Sequence, residues 1–529
     1  MNQERFTSRR LTVVAILLFL SIAIGGAAAV LTDPKSKTAE KQQQSSTSGT
    51  SSNDAQLAQL LDGMIDNSEF SSARWGVCVV NLGDGRILYA RNADRLFTPA
   101  SNMKVYTTAV ALDVLGTDYR WRTSVYADSA PDNTGTVNGN LVLYGRGAPD
   151  LTSRPHKDVP PSLTQLVDAL YQAGVRHVRG NVIGDDSYFR GEPLGDGWLW
   201  NDVQWYFGAE PSALSIDGNE VDVEVKPPAK NGDGPIATLS REQAELEITS
   251  DMIVVPSDKR MSVGIHRGLS DNRVHVWGEF PASSRGFGAR LSIHHPAEFA
   301  ATLFLTALKR RGISVDGQAS SRDFRTPKPR RFDPTHATEL ASISSRTLAE
   351  IVRATNKESI NLDAELILRT LGRERGPSTT DNSPQNYEKG DDVAGLDLIR
   401  EWLSRNGIQT SQLALHDGCG LSRLDLVKPE TTVGLLRAIS RTAASPAFHD
   451  SLPIAGTDGT LSGRLKNYKD RIVAKTGTLS YDNSLSGYLT TPKGETFVFS
   501  IMANDQTGTA SSTELIDKLL GAIAEYTAR

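Results

Sequence analysis

Three short segments carry residues whose types and spacing can do chemistry: Ser101-Asn102-Met103-Lys104, Ser359-Ile360-Asn361 and Lys475-Thr476-Gly477-Thr478. A serine hydroxyl is a weak nucleophile until a base takes its proton. At positions i and i+3 of a helix, Ser101 and Lys104 share a face, so the lysine nitrogen reaches the hydroxyl. The second segment offers another hydroxyl and an amide. The third offers a cation, then a glycine that lets backbone approach closely. Together they equip a chain to acylate itself on serine.

Each segment differs in specificity. A Ser-x-x-Lys match is expected roughly once or twice by chance in a chain of this length, and alone it reads more often as an N-cap serine followed by a solvated lysine. Yet Ser101 is the only serine with lysine three residues on. Lys475 opens the only Lys-Ser/Thr-Gly triplet, a pattern expected roughly 0.2 times by chance. Ser-x-Asn also begins at Ser51, Ser270 and Ser404, so Ser359 is preferred by order and context.

The elements that must position these residues are legible in outline. Residues 96–100 are loop-like around Pro99, and the apolar stretch 103–115 ending at Gly116 predicts a helix with Ser101 in its first turn. The helix N-terminal field and a nearby second lysine would both lower the pKa of Lys104, which suits a base. Residues 470–479 and 484–489 read as antiparallel strands about a turn, with a third strand at 496–503. On an edge strand, Lys475 and Thr476 can receive a carboxylate while the amide of Thr478 points at a developing oxyanion. Read alone, the same residues are an ordinary hairpin with an exposed lysine. Between the motifs, strand-like runs at 140–144, 221–225, 246–253 and 274–278 predict one or two small β-rich domains between about 124 and 290. Helical character returns at 297–311 and again at 345–373, the stretch that carries Ser359.

In this order and with this spacing, the chain resembles the low-molecular-mass penicillin-binding proteins of the D-alanyl-D-alanine carboxypeptidase/endopeptidase family, which have a large insert between the first two motifs. Further matching pieces are residues 181–189, 197–202, 417–423 and 456–461, so the resemblance covers about 57 to 529. One departure is Cys419, where the family usually has serine. The resemblance implies an α/β fold: a β-lactamase/transpeptidase-like domain, an antiparallel sheet with flanking helices, formed by 57–123 and 291–529 and split by the inserted β-rich part at 124–290. It implies that Ser101 attacks the carbonyl between two D-alanines while Lys104 takes its proton. Ser359 then relays a proton to the leaving amine, Lys475 holds Ser359 and favours the substrate carboxylate, and Asn361 binds substrate or orients Lys104. Thr476 and Gly477 border the substrate, and the amides of Ser101 and Thr478 form the oxyanion hole. Asp185, in a matching segment, is expected to meet the free amine of a diamino acid in the stem peptide or else to cap the turn before Ser187. Peptidoglycan stem peptides are the implied substrates and β-lactams the covalent inhibitors, with no cofactor and no metal.

Arg5, Arg9 and Arg10 precede an apolar run at 11–31, close to the ~20 residues that cross a bilayer as a helix. Residues 1–31 are therefore read as a signal peptide or an N-terminal membrane anchor, with a polar linker at 32–56. Either way the remainder is exported. A formal net charge of −5 gives no reason to expect nucleic acid as a partner. Cys78 and Cys419 sit in unlike settings and are expected to be free thiols. The pair His294-His295 lacks any metal-ligand spacing. Glu210-Pro211-Ser212-Ala213-Leu214 resembles the deacylating glutamate loop of class A β-lactamases, but its spacing is off by one residue. A β-lactamase or esterase on the same fold, or a non-catalytic cell-wall scaffold, are the alternatives. The first lacks a convincing deacylating glutamate and the second has no use for intact Ser101, Lys104 and Lys475.

Overall fold

The computed structural model describes residues 52–152, 159–228, 233–240, 246–327, 332–376, 390–507 and 510–528. The apolar run at 11–31 and nearly all of the following linker lie outside them. Among the described residues no helix is long and apolar enough to cross a membrane.

Five antiparallel strands form the sheet that carries the third motif, in the order Ile472–Leu479, Asp482–Thr490, Thr496–Asn504, Arg74–Asn81 and Ile87–Arg91. Successive side chains of a strand point to opposite faces, and here both faces are covered. Val77, Val79, Phe497, Phe499 and Ile501 pack with Leu61, Leu519 and Ile523 of the helices Ser52–Asp66 and Thr513–Ala528. Cys78, Val80, Val498 and Met502 face the opposite way, into the core that holds the helices Met103–Leu115 and Pro429–Ile439. That double burial explains why these strands read as nearly continuous apolar runs. The strand Ile472–Leu479 lies at the sheet edge.

The inserted part is strand-rich, with strands Leu141–Tyr144, Glu220–Lys226, Glu247–Val255 and Arg273–Pro281 at the expected runs. Strands on both sides of 124–290 share a sheet with it. Arg122–Ala127 pairs with Thr338–Ser344, and the same mixed sheet includes Leu141–Tyr144, Val182–Asp185 and Ala319–Arg322, with the helix Pro296–Arg311 packed against it. An apolar helix after a strand-rich stretch looks like a return to the first domain. Pairing partners, which decide the matter, are not written in local composition.

The helical stretch expected at 345–373 is two helices, Leu348–Glu358 and Asn361–Arg375. A capping box starts the first: Thr347 accepts from the Glu350 N–H and the Glu350 carboxylate accepts from the Thr347 N–H. Ser359 ends it in the left-handed region at φ 59°. The break turns the Ser359 hydroxyl out of a helical row and into the neighbourhood of the sheet edge, where Lys475 meets it.

Candidate active site

Pro99 ends the preceding loop, and a 3-10 turn Ala100–Asn102 leads into the helix Met103–Leu115, most of which is buried. Half-buried Ser101 opens this helix, and Lys104, one turn on, has no exposed surface. The Lys104 Nζ lies 3.1 Å from Ser101 Oγ, 2.6 Å from Asn361 Oδ1 and 2.8 Å from the carbonyl oxygen of Cys419. Burial lowers the Lys104 pKa, and the nearby acids Asp417, Glu365 and Asp363 oppose that shift. A buried amine with three oriented oxygen neighbours can exist neutral and accept the Ser101 proton.

The third motif is bolted to the same turn. Asn102 Nδ2 donates to the Lys475 carbonyl at 3.2 Å and to Ser484 Oγ at 2.6 Å, and Ser484 Oγ donates to the Pro99 carbonyl at 2.6 Å. Gly477 faces this junction: a Cβ there would stand 2.2 Å from Ser484 Oγ and 2.7 Å from the Pro99 oxygen. The Lys475 Nζ, fully buried, donates to Ser359 Oγ at 2.9 Å and to the Thr476 carbonyl at 2.9 Å. Its pKa lies well below the usual lysine value, through burial first and the nearby Lys104 second. Thr476 Oγ1 donates to Thr460 Oγ1 at 2.8 Å, and exposed Thr478 donates to Asn483 Oδ1 at 3.2 Å. Asn361 Nδ2 donates to the Phe207 carbonyl at 2.8 Å, which ties the second motif to the inserted part.

Ser101, Ser359, Asn361 and Thr478 line one cleft of about 870 Å³, together with Asp202, Tyr206 and Arg423. Asp185 is not among its lining residues. Its carboxylate accepts from the Ser187 N–H at 3.0 Å and the Ser187 hydroxyl at 2.6 Å, and it pairs with Arg322. Of the nine residues singled out in the sequence, eight therefore gather at the cleft or directly behind it, and Asp185 serves a buried turn. Three acids line the cleft: Asp202, Glu358, and Glu220, which pairs with Arg290. The Asp202 pKa is raised by burial, with Arg423 pulling it down.

Sequence reasoning also left Asp417 without a role. Its Oδ1 accepts from the N–H groups of Cys419 at 3.1 Å and Gly420 at 2.6 Å, and its Oδ2 from the Ser422 N–H at 2.7 Å and the Trp198 indole at 2.9 Å. This collar points the Cys419 carbonyl at Lys104. The signal was an aspartate ahead of small residues, the signature of a side chain that folds its own backbone. Glu365 supports the same loop by accepting from the Gly418 N–H at 2.7 Å. Gly420, at φ 81°, passes so close to the turn Ala100–Asn102 that a Cβ would sit 1.8 Å from the Ala100 oxygen. Glu365, Asp417 and Cys419 bring three possible metal-ligand atoms together, but both carboxylates are engaged by loop N–H groups. The Cys419 thiol donates to Asp417 Oδ2 at 3.4 Å and burial drives its pKa well up, so it stays protonated. Cys78 and Cys419 are both free and buried. Glu210 pairs with His294 outside the cleft lining.

Residues 57–526 match the family described as D-Ala-D-Ala carboxypeptidase 3 (S13). A D-alanyl-D-alanine carboxypeptidase of an Actinomadura species is 32% identical over 485 residues, covering 89% of this chain and 85% of that one. The D-alanyl-D-alanine carboxypeptidase DacB of Haemophilus influenzae is 26% identical over 437 residues, 80% of this chain and 84% of its own. The crystal structure of penicillin binding protein 4 from Haemophilus influenzae superposes with a TM-score of 0.74 at 25% identity, covering 88% of this chain and 98% of that chain.

Proposed function

The chain belongs to the D-Ala-D-Ala carboxypeptidase 3 (S13) family and is a serine-type D-Ala-D-Ala carboxypeptidase, and from that premise we propose that Ser101 is its nucleophile and Lys104 the base. The observation that carries this is the Ser101 Oγ to Lys104 Nζ contact of 3.1 Å, with Lys475 and Ser359 paired at 2.9 Å in the same cleft. Ser101 Oγ attacks the carbonyl carbon of the penultimate D-alanine and gives its proton to Lys104. The amides of Ser101 and Thr478 stabilise the oxyanion. As the C–N bond breaks, Ser359 hands its proton to the departing D-alanine nitrogen and is reprotonated from the lysine pair. Water then attacks the ester, Lys104 takes the water proton, and Ser101 leaves with a proton restored.

Burial lowers the pKa of both lysines, and the charge of Lys104 pushes that of Lys475 down further. An arriving substrate carboxylate reverses the balance on one side only. It favours the proton on Lys475 and leaves Lys104 neutral, so binding itself readies the base. Asn361 orients Lys104 through its Oδ1, and Thr476 and Gly477 border the carboxylate. The same acyl-enzyme route on a cross-link gives endopeptidase activity. Substrates are peptidoglycan stem peptides, β-lactams acylate the same serine, and the 11–31 segment exports the protein and leaves it secreted or membrane-anchored. For the free amine of a diamino acid in the stem, cleft-lining Asp202 is the better placed carboxylate, since Asp185 is committed to Ser187 and Arg322.

A labelled penicillin tests the assignment. It should mark the full-length protein covalently, Ser101→Ala should abolish the mark while the melting curve is kept, and the unmodified protein should release D-alanine from a pentapeptide. Labelling that survives Ser101→Ala overturns the assignment.

A further inference from the structure

The inserted part holds a three-stranded sheet in the order Glu247–Val255, Arg273–Pro281, Ser262–Arg267, the first pair parallel and the second antiparallel. One face is core: Met252, Ile265, Val274, Val276 and Phe280 are buried. The other face is open, and on a pleated sheet its residues are set by the register. Trp277 stands at its centre, opposite Asp251 on one neighbour and Gly264 on the other, and is 42% exposed.

Gly264 has an ordinary negative φ, so its backbone does not require glycine. The indole does. A Cβ at Gly264 would lie 2.2 Å from Cε2 and 2.4 Å from Cζ2 of Trp277, so the ring lies against that strand while much of the side chain stays exposed. His275 stacks beside it at 5.2 Å between ring centroids and 28° between planes, and its Nε2 is fixed 2.8 Å from Asp251 Oδ2. Glu279, next along the strand on this face, is exposed. None of these residues lines the catalytic cleft.

A flat, immobilised indole flanked by an imidazole and carboxylates suits one kind of occupant. A pyranose ring offers an apolar face of C–H groups to an aromatic surface and a rim of hydroxyl donors to carboxylate acceptors. A protein partner is disfavoured by the carboxylates of Asp251 and Glu279 that flank the indole, a residue type depleted from interface cores. An anion is disfavoured by Asp251 and Glu279. We propose that this face, centred on Trp277, is a carbohydrate platform that binds N-acetylhexosamine units of a glycan strand, separate from the site that cleaves the peptides. The proposal rests on the reading that the substrate is peptidoglycan, whose stems are attached to such strands. Holding the strand raises the local concentration of stem peptide at the cleft without adding a contact there.

The test uses the full-length protein, with the tetramer of N-acetylglucosamine as probe in titration calorimetry. The parent and Ser101→Ala should bind it alike, so failure of the catalytic assignment would not disturb this readout. Trp277→Ala should lower affinity at least 10-fold, Trp277→Phe should keep it within about 3-fold because the stacking face is retained, and Gly264→Ala should weaken it by displacing the indole. All three should release D-alanine from a soluble pentapeptide at the parent rate, while Trp277→Ala should act several-fold more slowly on intact insoluble peptidoglycan. Absence of tetramer binding by the parent, or equal binding by Trp277→Ala, overturns the platform. So does a protein dimer that Trp277→Ala dissociates without changing glycan binding.

Discussion

At the scale of residues, the site is a pair of buried lysines with different neighbours. Lys104 faces Ser101, Asn361 and the Cys419 carbonyl, and Lys475 faces Ser359 and the Thr476 carbonyl. Deleting the base should hurt more than deleting the anchor. Lys475→Ala removes a charge-assisted contact worth roughly 1.5 to 3 kcal/mol, so acylation by penicillin should slow by at least ~10-fold, and Lys104→Ala should slow it further. Lys475→Arg keeps the charge without the compact ammonium and should fall between. Stopped-flow acylation at wild-type rate in Lys475→Ala would remove its anchor role. The pH profile follows from the same burial. Lys104 must be neutral to accept a proton, its neutral fraction grows as pH rises through its folded pKa, and burial places that pKa below the ordinary 10.5. Acylation should therefore climb with pH along a single-proton limb whose midpoint lies below 10.5. A flat profile between pH 5 and 10 would contradict a lysine base.

At the scale of elements, the decisive feature is the break between two helices at Ser359. Its left-handed φ of 59° costs an L-residue about 1 to 2 kcal/mol, and glycine adopts it freely. Ser359→Gly should accordingly melt no lower than the parent, yet release D-alanine far more slowly because the hydroxyl that meets Lys475 is gone. Unchanged turnover in that variant would exclude the proton relay. The Asp417 loop is the second such device. Five donors converge on the Asp417 carboxylate, so that a single carbonyl points at Lys104.

At the scale of the whole molecule, a long insertion separates the nucleophile from the rest of its site without loosening it. The strand Arg122–Ala127 pairs with Thr338–Ser344, and beyond that ladder the Ser345 N–H donates to the Trp121 carbonyl and the Leu348 N–H to that of Tyr119, at 2.9 and 2.8 Å. The insertion is thus closed at its neck, and the closure entropy of what lies beyond grows only slowly with length. The insertion also supplies the cleft wall at Asp202 and Tyr206. Two acids in it should separate cleanly under mutation. Asp202→Asn should lower turnover of amine-bearing stem peptides more than penicillin acylation, with the melting temperature kept. Asp185→Ala removes the buried carboxylate that holds both Ser187 and Arg322, so both reactions and the melting temperature should fall together. A selective effect on stem peptides from Asp185→Ala alone would restore it as the amine-binding residue.

The amino-acid sequence by itself determined the chemistry and much of the scaffold. The proposed nucleophile, base, relay and anchor sit in local patterns, and the apolar runs at 472–504 and 103–115 specify a doubly buried sheet and the helix behind Ser101. These are legible because residue type and short-range periodicity act within a few residues. Three things were decided only by tertiary structure. Lys104 draws its partners from positions 257 and 315 residues away. The sheet of the insertion recruits strands well past residue 290. Asp202 and Glu220 of the insertion reach the cleft, whereas Asp185 is buried and pairs with Arg322. In each case the outcome depends on which distant segments pair and pack, and burial and register, unlike propensity, are properties of the assembled chain.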